Sequence, residues 1–518
     1  MAIGCAYLAL VAPSTYGNMH MTALLRIPFE FVALGWLLTA LPRRFSRAIG
    51  VVIGALAGVL FILKLVDVAF DAAWSRPFNP VFDFALATGG FESLQASLGD
   101  KKAIAAVVIG ALLGVAVIAL IAASFVRIAK LTARHRKHSW RAMAALTVIW
   151  SLAMLLGAPR PLLNSAEFAY DKSALTLKSF SDKREFAGLM ANDAYADTPG
   201  SRLLPSLRGK DVVVVFVESY GRSAVDDSPV ASPVTNLLKQ GSDRLASDGF
   251  AAKSGFLTSS VQGGGSWMAH ATFSAGVWTD NQRRYDTLVA SNRLTLEGAF
   301  KKAGWRTIAV SPGNNREWPE SRFFGFDQAY NAQELAYLGP GIQGWFPIPD
   351  QYSLAKMNDI LRAQPDDSAF MTEITLTSSH GPWAQTPPLL DWKDIDDGSV
   401  FNRYAEMMKA NGPTWSDPPK VQAAYQNAIK YSLESIVSYV ENFADDDQVF
   451  IILGDHQPAS VVTGDNASKD VPISIVSRDA AVMARIEPWG WSNGLRPNND
   501  APVWPMDVFR DQFLRAFG

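Results

Sequence analysis

The chain has 518 residues, 49% of them hydrophobic, a formal net charge of -2 and a mean hydropathy of +0.07. It is too long for one ordinary domain and more apolar than a moderately charged soluble chain, so part of it is expected in a membrane. The absence of a basic surplus excludes a general nucleic-acid binder, and the single cysteine, Cys5, excludes an internal disulfide, a cysteine zinc site and a cysteine nucleophile further along.

Residues 1–158 read as an all-α transmembrane bundle. Met1 to Ala12 is apolar but too short to cross, and it lacks the basic start of a signal peptide. A hydrocarbon core takes about 20 helical residues. Thr22 to Leu41, Ala48 to Phe70, Ala103 to Val126 and, at marginal length, Ala142 to Ala158 are therefore expected to span. "PRRFSR" (Pro42 to Arg47) and "RIAKLTARHRKHSWR" (Arg127 to Arg141) hold basic residues with no acid between them. Short loops of that kind stay in the cytoplasm, which places everything after Ala158 on the outer side. Two flanking spans also argue against reading the second loop as a nucleic-acid patch. Arg26 and Glu30, four apart, are expected to pair on one helix face. Arg76 to Leu94 carries aromatics among a few charges and reads as an outer interfacial segment that could help seat a lipid.

Residues 159–207 turn polar and read as a linker helix or arm. From 208 onward, β-branched runs alternate with helical patterns. "DVVVVFVES" (Asp211 to Ser219) is the signature of a strand buried on both faces of a parallel sheet. Trp305 to Pro312, Ala369 to Ser379, Gln448 to Asp455 and Val471 to Ser477 repeat the theme. Thr295 to Lys302, Leu354 to Ala363 and Pro419 to Phe443 read as helices between them. The expected fold is an α/β sheet with helices on both faces.

Ligands of such sheets gather beyond the carboxyl ends of the strands. Glu218 closes the first strand, His380 follows "TEITLTSS", and Asp455 with His456 follows "VFIIL". Singly these groups are ordinary helix caps or satisfied loop residues. Their conjunction is not: of the six histidines (20, 135, 138, 270, 380, 456), two of the three in the second part directly follow buried strands. Two carboxylates and an imidazole suit a divalent ion such as Zn or Mn with one open position. That position calls for an oxygen nucleophile, and a bound cation favours the serine alkoxide. Ser266, in "GGGSW", is the candidate, because the glycines let the backbone approach an ion and their amides can cradle an anion.

"VVVVFVESYGRS", "GGGSW", "TLTSSHGPW" and "IILGDHQP", in this order after membrane spans, resemble the lipoteichoic acid synthase and phosphoethanolamine transferase branch of the alkaline phosphatase/sulfatase superfamily. The resemblance covers Asp211 to the C-terminus and implies an alkaline-phosphatase-like sheet. It implies metal ligation by Glu218, Ser266, Asp455 and His456, with Ser266 also the nucleophile and His380 beside the substrate phosphate. It further implies an aromatic and an arginine before a Gly-Phe-Asp-like turn; in "SPGNNREWPESRFFGFD", Arg316 is the candidate phosphate clamp, with Arg322 and Trp318 as secondary candidates. The branch's usual threonine is serine here, which leaves Ser259, Ser260 and Thr272 as rival nucleophiles. True sulfatases carry Pro two and Arg four residues after the nucleophile; Met268 and His270 stand there, which disfavours sulfate-ester hydrolysis. His270 lies one helical turn beyond Ser266 and is weighed equally as a substrate contact and a structural residue.

The expected protein is thus a multi-pass inner-membrane enzyme with an extracytoplasmic catalytic domain at 208–518. It would use one divalent ion (Mn or Zn, with Mg a third candidate) to move a phospho-headgroup from a membrane phospholipid to an envelope polymer or lipid acceptor. The alternatives are a phosphodiesterase or phosphatase with water as acceptor, and a non-catalytic envelope regulator. No nucleic-acid partner is expected.

Overall fold

The computed structural model describes all residues except 16, 18, 20–26, 87–89, 92–93, 96–98, 157–163, 227–230, 342–347, 365–367, 410–411, 414–415 and 465–466. The chain divides into two compact units, Met1–Arg184 and Glu185–Gly518.

The first unit is helical: α1 (Ala2–Val11), α2 (Phe29–Ala40), α3 (Arg43–Trp74), α4 (Asp100–Arg134), α5 (Arg136–Leu155) and α6 (Asn164–Ala191), the last running on into the second unit. Four spans are expected from the sequence; among the described residues, α3 and α4 are long and apolar enough to cross a membrane. The other two expected spans lie partly outside the described residues, at 22–26 and 157–158. The described part of the first expected span is the 12-residue α2, and α5 spends its first turns on Arg136, Lys137 and Arg141. Gly50, Gly54 and Gly58 line the face of α3 against α4, where a Cβ on Gly54 would lie 2.6 Å from the Ala122 Cα. Small residues at this spacing let two apolar helices approach closely enough for backbone-to-backbone packing.

Arg26 of the expected Arg26–Glu30 pair lies outside the described residues. Glu30 accepts the N–H groups of Ser165 and Ala166, capping the start of α6. In the segment expected to be interfacial, Arg76 and Asp83 pair at 2.7 Å, and Asn79 donates to Ser179 of α6.

Among the described residues, the second unit is built on nine strands: β1 (Asp211–Val217), β2 (Ala251–Thr258), β3 (Arg306–Ser311), β4 (Gln328–Asn331), β5 (Phe370–Leu376), β6 (Gln448–Gly454), β7 (Asp470–Ser477), β8 (Ser492–Asn493) and β9 (Val503–Pro505). They order as β4-β3-β5-β1-β6-β7-β2-β8, with β9 against β2. β4, β3, β5, β1 and β6 are mutually parallel. β7 runs antiparallel to both β6 and β2, so β2 points the same way as β1. The β-branched run of β1 predicts a central strand, and β5 and β6 flank it on either side.

Alternation along β1 divides its side chains between two cores. Val213, Val215 and Val217 pack under α7 (Ser232–Ser247), α8 (Asp350–Arg362) and α9 (Pro418–Phe443). Val212, Val214 and Phe216 pack under three other helices: α10 (Ser266–Ala275), α11 (Leu296–Ala303) and α12 (Phe509–Ala516). This is the expected α/β sheet with helices on both faces. Full burial of each such side chain is worth roughly 1.5–3 kcal/mol relative to exposure. The strand is thereby a rigid base for whatever its end presents.

Candidate metal centre and nucleophile

Four strand ends converge on one edge of the sheet. β1 delivers Glu218 and then Ser219, whose φ of 57° lies in the left-handed region, a costly geometry for a residue other than glycine. It is stabilised by two bonds: Ser219 N–H donates to Asp455 Oδ1 at 2.7 Å, and Ser219 Oγ donates to Glu218 Oε1 at 2.8 Å. β6 ends in Gly454, where a Cβ would fall 1.8 Å from the Tyr220 carbonyl oxygen. Only glycine lets the β1 and β6 loops come this close, and the next two residues are Asp455 and His456.

β2 leads into the glycine loop. Gly263 and Gly265 have φ values of 73° and 85°, and Gly263 N–H donates to the Gln457 carbonyl at 2.8 Å, pinning the loop to the β6 side. Gly265 is the N-cap of α10 and Ser266 its first residue. Ser266 Oγ donates to Glu218 Oε2 at 2.9 Å and lies 3.2 Å from His456 Nε2. His456 Nδ1 bonds the Gln457 carbonyl at 2.8 Å; a carbonyl only accepts, so Nδ1 carries the proton and Nε2 turns its lone pair toward the cluster.

Glu218, Asp455 and His456 are 4%, 0% and 0% exposed, whereas Ser266 is half-buried. Ligand atoms of the three buried groups lie within 4.8 Å of one another. Asp455 Oδ2 is buried with no hydrogen-bond partner. Burial, and then the Glu218 charge, push the Asp455 carboxyl well above its usual range. For Glu218 burial acts upward too, but protonation of the neighbouring His456 and His380, and the hydrogen bond from Ser219, draw its carboxyl down. Two buried acids and an imidazole lone pair pointing at one place fit a divalent cation.

At the end of β5, Ser379 Oγ donates to the Glu218 carbonyl at 2.6 Å, tying the His380 loop to β1. Burial lowers the His380 pKa, which favours the neutral ring. A residue not anticipated from sequence supports this loop: fully buried Asp350, at the start of α8, accepts Thr377 N–H at 2.8 Å and Ser378 N–H at 2.9 Å. Its only sequence signal is an acid at a helix start.

The rival hydroxyls are committed elsewhere. Ser259 Oγ donates to the Asp455 carbonyl, and Thr272 Oγ1 donates to the Met268 carbonyl and lies against Ser260 Oγ. His270 points back into the protein. Its ring stacks on Phe216 at 3.7 Å between centroids, and Nδ1 lies 3.1 Å from Glu373 Oε1. Glu373, 5% exposed in β5, was also missed; the signal was a charge in the middle of an otherwise buried strand.

Arg316 and Trp318 lie on the loop after β3, two strands from β1 in the sheet. Arg316 is exposed, its N–H bonded to Asn314 Oδ1. Trp318 packs on Phe324 and Phe326 and, with Arg322 and Tyr330, lines a cavity of about 310 Å³.

A family model described as sulfatase matches residues 210–472. No curated protein matches the chain. Among solved structures, it is similar to the lipoteichoic acid synthase LtaP from Listeria monocytogenes at 15% identity, covering 61% of this chain and 74% of that one, with a TM-score of 0.39. It is similar to the Streptococcus pyogenes phosphoglycerol transferase GacH at 12% identity, covering 64% and 90%, with a TM-score of 0.37. For the C-terminal periplasmic domain of EcEptC from Escherichia coli the values are 14% identity, 53% and 74% coverage, and a TM-score of 0.34.

Proposed function

The chain belongs to the sulfatase family, and from that premise we propose that it is a membrane-anchored, metal-dependent transferase that moves a phospho-headgroup from a phospholipid to an envelope acceptor through a phosphoserine. The observation that carries the reading is the position of Ser266 Oγ, bonded to Glu218 and 3.2 Å from His456 Nε2 at the start of α10. The apolar helices α3 and α4 support a membrane substrate, since an enzyme held at the bilayer meets a donor that cannot leave it. Met268 and His270, where a sulfatase would need Pro and Arg, argue for phosphate over sulfate.

Glu218, Asp455 and His456 would hold the cation, Mn or Zn, with Ser266 completing the set. When bound, it would favour the ionised serine and offset charge on the phosphate oxygens. Ser266 Oγ attacks phosphorus in line; the Ser266–phosphorus bond forms as the bond to the diacylglycerol oxygen breaks, and that oxygen takes the serine proton. The N–H groups at the start of α10 favour an anion in front of them. In the second half, an acceptor hydroxyl forms the new phosphorus–oxygen bond as the Ser266 bond breaks. His380, its Nδ1–H bonded to the Gly381 carbonyl, retains Nε2 as the basic nitrogen to take the acceptor proton. Arg316 is the proposed phosphate clamp, with Trp318 beside it and His270 behind Ser266; the catalytic part faces outward from the inner membrane.

The test is intact-protein mass spectrometry of the full chain after exposure to phospholipid vesicles with Mn or Zn. A headgroup-phosphate adduct on the native chain, absent in Ser266→Ala, is expected. No adduct under acid quench, while the lipid is being consumed, would overturn the covalent route.

A further inference from the structure

The nucleophile's helix is clamped at its far end by a residue with no place in the chemistry. Arg293, 9% exposed in the loop before α11, directs its guanidinium at five backbone carbonyls. Nε donates to Ala275 O at 2.7 Å and Nη2 to Gly276 O at 3.0 Å, both at the C-terminal end of α10. Nη1 donates to Leu189 O, Met190 O and Asn192 O at 3.4, 3.3 and 3.0 Å, around the C-terminal end of α6. Helix ends leave carbonyls without intrahelical partners and carry partial negative charge, so one buried cation with a planar fork satisfies two such ends together.

We propose that Arg293 is a positioning residue for Ser266, fixing the helix that bears it by clamping the ends of α10 and α6 together. The proposal rests on Ser266 being the nucleophile. His270, stacked on Phe216 and paired with Glu373, fixes α10 near its front, and Arg293 fixes its back; two points set the line of the helix. Ten residues make a rod of about 15 Å, so a tilt of about 10° at one end displaces the other by about 2.5 Å. The Ser266 contacts at 2.9 and 3.2 Å do not survive such a shift, and misplacement by about 1 Å can cost roughly 100-fold in rate.

The surroundings leave the clamp little slack. Gly276 ends α10 at a φ of 58°, and a Cβ there would lie 2.7 Å from Arg510 Nε. Arg510, fully buried, bonds Asp193 at 3.0 and 3.2 Å, so the segment just after α6 is anchored as well.

The test uses full-length Arg293→Lys, which retains charge but loses the fork, and Arg293→Ala with and without added guanidinium. Two readouts apply: hydrogen exchange, and the rate of Ser266 adduct formation on vesicles of mixed phosphatidylglycerol and phosphatidylethanolamine. In Arg293→Lys, amides of 189–192 and 266–276 are expected to lose protection together. The saturated adduct rate should fall about 10- to 100-fold with KM and Mn affinity within about twofold, and guanidinium should restore Arg293→Ala. Exchange that rises at 189–192 alone, or a native saturated rate in Arg293→Lys, would overturn the clamp. If the native chain forms no adduct, the nucleophile reading fails instead, and the exchange pattern still decides whether Arg293 joins the two ends.

Discussion

Ser266 and His456, 190 residues apart in sequence, place Oγ and Nε2 3.2 Å from one another. The contact exists because β2 and β6 end on the same edge of the sheet, and the β2 loop is bonded back to the residue after His456. Ser266→Ala removes the hydroxyl that bonds Glu218 and lies beside His456. The turnover of lipid is expected to fall about 1,000-fold or more, with secondary structure by circular dichroism unchanged.

Metal binding is expected to register as stability. A ligand at 100 times its Kd adds about 2.7 kcal/mol, so Mn or Zn should raise the melting temperature of chelator-treated protein by several degrees. Asp455→Asn should abolish that rise. Because Asp455 is held above its usual range by burial and Glu218, the metal-free Asn variant should melt higher than native at pH 7. A lower melt would show the acid to be stabilising without metal.

Glu297, fully buried, has its carboxyl pushed up to about 8 by burial and then by Glu373. Raised in the folded state, it contributes stability that is complete below its unfolded value of about 4.5 and lost as pH rises toward 8. Native protein should therefore lose melting temperature between pH 5 and pH 8. Glu297→Gln, which retains an acceptor for Ser274, should lose less over the same interval. Equal slopes in thermal melts would contradict the assignment.

The His270–Glu373 contact, with Nδ1 3.1 Å from Oε1, should behave as a buried hydrogen-bonded pair. His270→Ala leaves Glu373 buried without that partner and is expected to cost roughly 1–3 kcal/mol. Adding Glu373→Ala should recover part of that loss, so the double variant falls short of additivity in denaturant titrations. Strict additivity would mean that the two side chains do not interact.

Orientation can be read with thiol chemistry, because Cys5 is the sole cysteine. In a Cys5→Ser background, Asp248→Cys should be labelled by an impermeant maleimide on intact spheroplasts, and His138→Cys only after lysis. Both positions are exposed on the protein. The reverse pattern would place the second unit in the cytoplasm.

Much of the second unit was legible because its signals are local. The valine run of β1 needs burial on both faces whatever surrounds it, and the glycines before Ser266 announce left-handed backbone. The antiparallel direction of β7 was not legible, since a buried strand reads the same in either direction. Glu373 and Asp350 escaped notice because an acid's burial is decided by partners, His270 for one and the amides of 377–378 for the other, that are distant in the chain.

By itself, then, the sequence determined what depends on neighbours along the chain: apolar helices, a β-branched core strand, and reactive groups set directly after strands. Tertiary structure alone decided which groups meet. Strand order brought Glu218, Asp455, His456 and Ser266 to one edge, and one guanidinium came to satisfy two helix ends. The division is physical: periodicity and backbone preference act over a few residues, whereas burial and hydrogen bonding are settled between segments that touch only once the chain has packed.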